Sequence, residues 1–155
     1  MQGAKRIRIC LVASAGGHLT QLLKLENAWA GLDTVYVTTS ELVQAKLTNL
    51  GKVYIVGECN RQHPLRVAKV LLRCVWVAVR ERPNVVISTG AAPGFLLCLM
   101  CKILGAKVVW VDSVANIERI SLSGRLTHPF ADLFLTQWPK LADSDRNVEY
   151  AGVIL

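Results

Sequence analysis

The sequence of 155 residues lacks several features that would assign it to a protein class at once. It has no run of about 18 uncharged apolar residues, so no membrane-spanning helix is expected. The apolar run near the N-terminus is too short for a signal peptide, and we interpret it as a first strand. Neither the dinucleotide fingerprint G-x-G-x-x-G nor a P-loop is present. Aromatic residues make up only 6%, and no zinc spacing or helix-turn-helix pattern supports nucleic-acid binding.

Acidic residues are also scarce, with 11 of them against 18 lysines and arginines. The net charge of +7 indicates a negatively charged partner, such as a phosphorylated ligand or an anionic membrane surface. The five cysteines are an odd set without a secretory signal, which predicts a reduced, cytoplasmic protein. Cys98 and Cys101 have the spacing of a metal or redox pair. They lie in an apolar helical run without a second pair, so core packing is the better interpretation, and no metal site is predicted.

What the sequence does have is a regular alternation of apolar strands and helices. Hydrophobic residues make up 52%, enough for a full core, and we predict a single domain over residues 1–155. The alternation predicts an α/β fold, a Rossmann-like parallel sheet with helices on both faces. The predicted strands cover residues 9–13, 34–38, 53–56, 85–88, 107–111, 133–136 and 148–151. The predicted helices cover residues 18–31, 41–50, 64–82, 93–104 and 121–128.

Three turns of small or polar residues follow predicted strands, at the edge where parallel sheets bind ligands. The first, Ser14 to His18, opens into a helix whose free N–H groups and dipole favour anions. His18 could act there as a general base or only cap the helix. The second, Thr89 to Gly94, is another possible anion nest or an ordinary tight turn. The third places Asp112 and Ser113 where the carboxylate could bind sugar hydroxyls, act as a base, or cap a loop.

The helix predicted from Pro64 to Arg82 is apolar on most of its sides. Its basic residues recur at helical spacing and form one narrow stripe beside Trp76, made of Arg66, Lys69, Arg73 and Arg80. Such a helix suits the surface of an anionic membrane. The alternative is an ordinary helix that packs on the sheet and keeps one solvated face.

Several segments occur together in an order that resembles a known family. They are SAGGHL at 14–19, STGAAP at 88–93, VDS at 111–113, SLSGR at 121–125, and Ala131-Asp132 followed by QWP at 137–139. The chain resembles the family of the membrane-anchoring, acceptor-side subunit of the two-part N-acetylglucosaminyltransferase that makes dolichol-linked chitobiose. It resembles especially the family's bacterial members in exopolysaccharide synthesis, often called PssD-like. The resemblance covers nearly the whole chain.

The resemblance implies the N-terminal half of a GT-B glycosyltransferase, made as a separate subunit. A catalytic partner subunit would hold the UDP-sugar, a hexosyl or hexuronosyl donor, and neither a metal nor another cofactor would be needed. The acceptor would be a polyprenyl-diphosphate-linked sugar. The pair would act in bacterial polysaccharide biosynthesis, with this chain attached peripherally to the anionic cytoplasmic face of the inner membrane.

Carried onto this sequence, the resemblance implies an acceptor cleft around the first turn. The catalytic residues would be His18, beside the attacking hydroxyl, and Asp112, which stands where many relatives have Glu in a Glu-Ser pair. The acceptor-binding residues would be Ser14, Gly16, Gly17, Thr89, Gly90 and Ser113. The helix with Arg66, Lys69, Arg73 and Trp76 would carry the membrane contact. The Gln137-Trp138 segment would lie toward the partner.

Two other functions stay open on the sequence. The chain could be a non-catalytic scaffold that recruits the catalytic subunit to the membrane, and transfer would then not depend on His18 or Asp112. It could also be a self-sufficient α/β enzyme that uses a nucleotide, although one such sheet supplies only one side of a two-substrate cleft.

Overall fold

A computed structural model describes residues 6–154, so residues 1–5 and 155 of the predicted domain lie outside the described part. The strands are β1 (Arg8–Val12), β2 (Asp33–Thr38), β3 (Lys52–Ile55), β4 (Val85–Ser88), β5 (Lys107–Val111), β6 (Leu133–Thr136) and β7 (Val148–Tyr150). The α-helices are α1 (Gly17–Lys24), α2 (Gln44–Thr48), α3 (Pro64–Glu81), α4 (Ala92–Ile103) and α5 (Leu122–Thr127). Short 3-10 helices lie in the connections, at Glu26–Trp29, Glu41–Val43, His128–Phe130, Pro139–Leu141 and Ser144–Arg146.

All strands pair in parallel in one sheet with the order β3-β2-β1-β4-β5-β6-β7. The chain builds outward from β1 to β3, and then returns to the other side of β1 to form β4. β1 and β4 are therefore neighbours, with Val12 opposite Ser88 at their carboxyl ends. This is a topological switch point, the place where open parallel sheets bind ligands. The predicted Rossmann-like parallel sheet is confirmed.

Helices cover both faces of the sheet, and the side chains of β1 alternate between two apolar cores. Cys10 and Val12 face the core under α3 and α4, while Leu11 faces the core under α1 and α2. The core-packing interpretation of Cys98 and Cys101 is confirmed, because both lie on α4 and are fully buried. Burial raises the pKa of the Cys101 thiol to about 12.

The helix predicted over residues 18–31 is wrong in its second half, since α1 ends at Lys24. The chain continues as the 3-10 helix Glu26–Trp29. Trp29 is only 5% exposed and packs into the core under α1, so its burial against the sheet decides the local path. The helix predicted over residues 41–50 likewise begins as a 3-10 turn before α2.

Candidate functional site

The sheet order brings together the three turns that the sequence singled out. The first turn follows β1, the second follows β4, and Asp112 with Ser113 follows β5, the next strand along. α1 and α4 begin at this edge and cover opposite faces of the sheet. Gly16 and Gly17 are exposed there. The three turns thus follow three neighbouring strands at one edge of the sheet, next to two helix N-termini, and we call this edge the cleft.

Two hydrogen bonds join the first turn to the second. Thr89 Oγ1 donates to the main-chain oxygen of His18 at 2.6 Å, and His18 Nδ1 lies 2.8 Å from the main-chain oxygen of Thr89. A carbonyl oxygen only accepts, so the neutral imidazole carries its proton on Nδ1 and has a lone pair on Nε2. No described residue bonds to Nε2. The ring is therefore held in the tautomer that a general base needs.

Gly90 lies directly against this histidine. Its φ of +136° is a conformation that other residues rarely adopt, and a Cβ built there would come within 2.5 Å of His18 Cε1. A glycine at this position is therefore required both by the backbone and by the imidazole ring. The resemblance implied that Gly90 lines the same cleft as the first turn, and the structure places it against His18 of that turn.

The N-termini of α1 and α4 both lack a capping side chain and have no acidic residue in their first turns. The residues before them, Gly16 and Ala91, have φ of +109° and +71°, and Ala91 is a strained position for a residue with a Cβ. By contrast, Ser121 Oγ caps α5 by accepting from the N–H of Gly124 at 2.9 Å. Uncapped N–H groups and the helix dipole favour a negative charge at this edge.

Two residues that sequence reasoning missed hold the first turn from the β2 side. Thr39 Oγ1 accepts from the N–H of Ala15 at 2.9 Å and donates to Glu58 Oε1. Thr39 is buried, as is Ser14 in the same turn. Thr39 follows β2, the other neighbour of β1, so its place at a strand end is the signal that could have identified it.

Asp112 does not face the cleft as the sequence suggested. It is 1% exposed, and both carboxylate oxygens are occupied by donors. Oδ1 accepts from Trp110 Nε1 at 3.1 Å and Ser121 Oγ at 2.6 Å, while Oδ2 accepts from Asn116 Nδ2 at 3.1 Å and Ser121 N at 3.0 Å. A carboxylate whose oxygens all have donors holds the loop after β5 in place. This agrees with the alternative that Asp112 caps a loop. The geometry gives it no path to a substrate proton.

Ser113 is hydrogen-bonded to α1. Gln21, on α1, donates to Ser113, and Gln137, after β6, donates to Gln21. All three side chains are buried. The resemblance implied that Gln137 lies toward the partner subunit, and no sequence pattern singled out Gln21. The apolar periodicity of α1 gave no reason to expect a buried amide at that position.

α3 presents the predicted basic stripe to solvent, because Arg66, Lys69, Arg73 and Trp76 are exposed. The helix also exposes large apolar side chains at Leu65, Leu72, Val75 and Val79, which helical spacing places beside the stripe. Arg73 also bonds to the neighbouring loop, since its Nη1 donates to the main-chain oxygen of Val56 at 3.2 Å. In residues 6–154 no helix has the length and apolarity needed to cross a bilayer.

A groove of about 700 Å³ lies between α3, α4 and α5, next to the α4 N-terminus. Its floor is apolar, with Val67, Phe95, Leu96, Leu122 and Leu126. Three arginines, Arg61, Arg119 and Arg125, stand at its walls. None of the three forms an ion pair with another described residue. An apolar floor with unpaired cations fits an amphipathic anion such as a lipid phosphate.

Solved structures show which fold class this protein has. MurG from Acinetobacter baumannii superposes with a TM-score of 0.76 at 14% identity, over 95% of this chain and 46% of that chain. UDP-GlcNAc 2-epimerase from Methanocaldococcus jannaschii gives a TM-score of 0.70 at 13% identity, over 93% and 45%. The chain therefore spans about half the length of these proteins. It has the Rossmann-like α/β fold found in GT-B glycosyltransferases such as MurG.

Residues 32–154 match the family model described as "Oligosaccharide biosynthesis protein Alg14 like". The UDP-N-acetylglucosamine transferase subunit alg14 of Schizosaccharomyces pombe is 39% identical over 167 residues, which cover 90% of this chain and 80% of that protein. The human subunit ALG14 is 26% identical, over 96% of this chain and 83% of that protein. The chain belongs to the Alg14-like family, which confirms the resemblance at the family level. These relatives are eukaryotic and give no support to the bacterial, PssD-like assignment.

Proposed function

We propose that this chain is the acceptor-side subunit of a glycosyltransferase in lipid-linked oligosaccharide biosynthesis. The partner subunit holds the UDP-sugar, and this chain binds a polyprenyl-diphosphate-linked sugar. One observation carries the proposal: two uncapped helix N-termini begin at the switch point, where Nε2 of His18 has no described partner. An anion site beside a base is what an acceptor with a diphosphate and a reacting hydroxyl needs.

In the proposed reaction, His18 Nε2 takes the proton of the acceptor hydroxyl as its oxygen attacks the anomeric carbon of the donor sugar. The new glycosidic C–O bond forms while the bond from that carbon to the UDP oxygen breaks, and UDP leaves with the electron pair. The Thr89 carbonyl accepts from Nδ1–H and stabilises the imidazolium that forms. The N–H groups of Gly16 and Gly17 and those that open α4 bind the acceptor diphosphate.

The other acceptor-side residues keep the roles that the resemblance implied. Thr89 and Gly90 contact His18, Ser14 lies in the turn before it, and Ser113 donates from the β5 side. We assign Asp112 to positioning rather than to proton transfer, because its oxygens are saturated. No metal or other cofactor is assigned to the reaction.

The names of the relatives suggest the first donor to test. They are UDP-N-acetylglucosamine transferase subunits, so we propose UDP-N-acetylglucosamine as the donor held by the partner. The bacterial exopolysaccharide assignment rests on the sequence resemblance alone. Transfer from another hexosyl or a hexuronosyl donor in the same assay would favour it.

The membrane contact is proposed for α3 and the neighbouring groove. Its support is the exposed apolar face with basic residues, and the three arginines over an apolar floor. We propose a peripheral location on the cytoplasmic face of the membrane, where anionic lipids attract the positive chain.

The test is transfer by the two purified subunits, alone and together, from UDP-N-acetylglucosamine to a short polyprenyl-diphosphate sugar. We expect product only from the pair, and a loss of about a hundredfold or more with His18→Ala, the scale of a general base. His63→Ala, an exposed histidine before α3, is the control and should keep full activity.

Two outcomes of this assay contradict the proposal. Transfer by this chain alone would make it a self-sufficient enzyme. Full activity of the His18→Ala pair would make the chain a scaffold that recruits the catalytic subunit.

A further inference from the structure

A chain of buried amide side chains connects strand ends behind the cleft. Gln137 is 1% exposed and Gln21 is 8% exposed. Gln137 Nε2 donates to Gln21 Oε1 at 2.7 Å and to the main-chain oxygen of Asp112 at 3.0 Å. Gln21 Nε2 donates to Ser113 Oγ at 3.2 Å. Gln137 Oε1 accepts from the N–H of Ile154 at 2.8 Å.

The main-chain partners fix which way each amide faces. The carbonyl of Asp112 only accepts, so Gln137 must present its Nε2 to that oxygen. The N–H of Val114 only donates, and it lies 3.2 Å from Gln21 Oε1, so Gln21 must present its Nε2 to Ser113. Gln21 therefore donates to Ser113 and never accepts from it.

Ser113 Oγ also accepts from the N–H of Ala115 at 3.3 Å, so both of its lone pairs are used. Among residues 6–154, no acceptor takes its proton. The side chain is 6% exposed, at the cleft end of β5. Resting on the proposed function, we propose that Gln21 and Gln137 are positioning residues that hold the Ser113 hydroxyl as a fixed donor. The donor serves an oxygen of the acceptor's diphosphate-sugar headgroup.

The same amides also join two further elements to this donor. Gln21 belongs to α1, one helical turn after His18, and its side chain bonds to Ser113, Val114 and Gln137. Gln137 also binds Ile154, in the segment that follows β7. The Ser113 hydroxyl, α1 and the segment after β7 are therefore held in one hydrogen-bonded unit.

The experiment measures steady-state transfer by the two-subunit enzyme with Gln21→Glu. The new carboxylate still accepts from Val114 and Gln137, but its other oxygen now accepts the Ser113 proton and turns the hydroxyl away from the cleft. We expect the acceptor KM to rise about tenfold, the scale of one hydrogen bond, with the donor KM unchanged. Gln44→Glu, the same change on an exposed position of α2, should leave both constants unchanged.

Variants of Ser113, alone and combined with Gln21→Glu, show whether Gln21 acts through this serine. Ser113→Ala should raise the acceptor KM by the same factor, and Ser113→Thr should restore it. Adding Gln21→Glu to Ser113→Ala should cause little further loss, because the shared interaction is already gone. Equal effects of Gln21→Glu with and without the serine hydroxyl would overturn the proposal.

The serine variants keep the proposal testable if Gln21→Glu does not fold. An unchanged acceptor KM in Ser113→Ala overturns the inference while wild-type transfer continues. A wild-type pair without any transfer overturns the proposed function instead.

Discussion

Gly90 packs directly against the imidazole ring of His18. Gly90→Ala must move the ring, since the added Cβ would come within 2.5 Å of it, and must also strain a φ of +136°. Gly105 has a φ of +92° but open space around its Cβ position, so Gly105→Ala has the strain alone. We expect each change to lower the free energy of unfolding by about 1 kcal/mol or more, measured by urea denaturation.

Only Gly90→Ala should also lower kcat of the assembled enzyme, by about tenfold or more, because the base is displaced. An equal kcat for Gly90→Ala and Gly105→Ala would mean that the position of the His18 ring does not matter for the reaction. Ala91, next to Gly90, has φ of +71° and is a further place where the backbone at this edge is strained.

Among the elements, α3 is the one that we propose touches the membrane. Arg66→Glu with Lys69→Glu should release the protein from vesicles that contain anionic lipid, with at least a tenfold loss of partitioning in a sedimentation assay. Arg73 is left unchanged because its contact with the Val56 carbonyl also supports the fold.

The control for this change has the same charge reversal on another face. Lys24 and Lys46 are exposed on α1 and α2, which cover the opposite face of the sheet. Lys24→Glu with Lys46→Glu should keep most of the binding. An equal loss in both double variants would mean that net charge, rather than the α3 face, drives the attraction.

The connection from α5 to β6 is stabilised by one carboxylate. Partial burial raises the pKa of Asp132, but hydrogen bonds from Lys102, Val108 N and Lys107, at 2.7, 2.8 and 3.2 Å, outweigh it and hold the pKa at about 2, below the usual 3.8. A carboxyl with a lowered pKa in the folded state stabilises the fold above its unfolded pKa. That stability is lost as the pH falls from about 4 toward 2.

We therefore expect the urea midpoint to fall with acidification over this range, and Asp132→Asn to flatten the fall. Asp145→Asn is the control, because Asp145 is exposed and forms no ion pair with a described residue. An unchanged slope in Asp132→Asn would show that the three donors contribute nothing to the acid sensitivity.

For the whole molecule, the sequence predicts the order of strands and helices because the apolar alternation is strong and local. It cannot predict the contact between His18 and Thr89, which are 71 residues apart and meet only because β4 pairs with β1. The sequence also does not predict that α1 ends at Lys24, because the burial of Trp29 against the sheet determines where the helix ends. The sequence also left the capping and catalytic roles of Asp112 open, because its hydrogen bonds to Ser121 and Trp110 are not visible in local patterns.

We propose that the described residues supply an anion site and a base for the acceptor. The chain spans about half of MurG, and we propose that the nucleotide-sugar site belongs to the partner subunit. This division between acceptor and donor is the central claim, and it predicts which substrate the chain binds by itself.

Calorimetry on this chain alone tests the division directly. A water-soluble polyprenyl-diphosphate sugar with a short lipid should bind with a measurable heat, and UDP-N-acetylglucosamine should give none. Micromolar binding of UDP-N-acetylglucosamine, with no heat from the lipid-linked acceptor, would contradict the claim that this chain is the acceptor side.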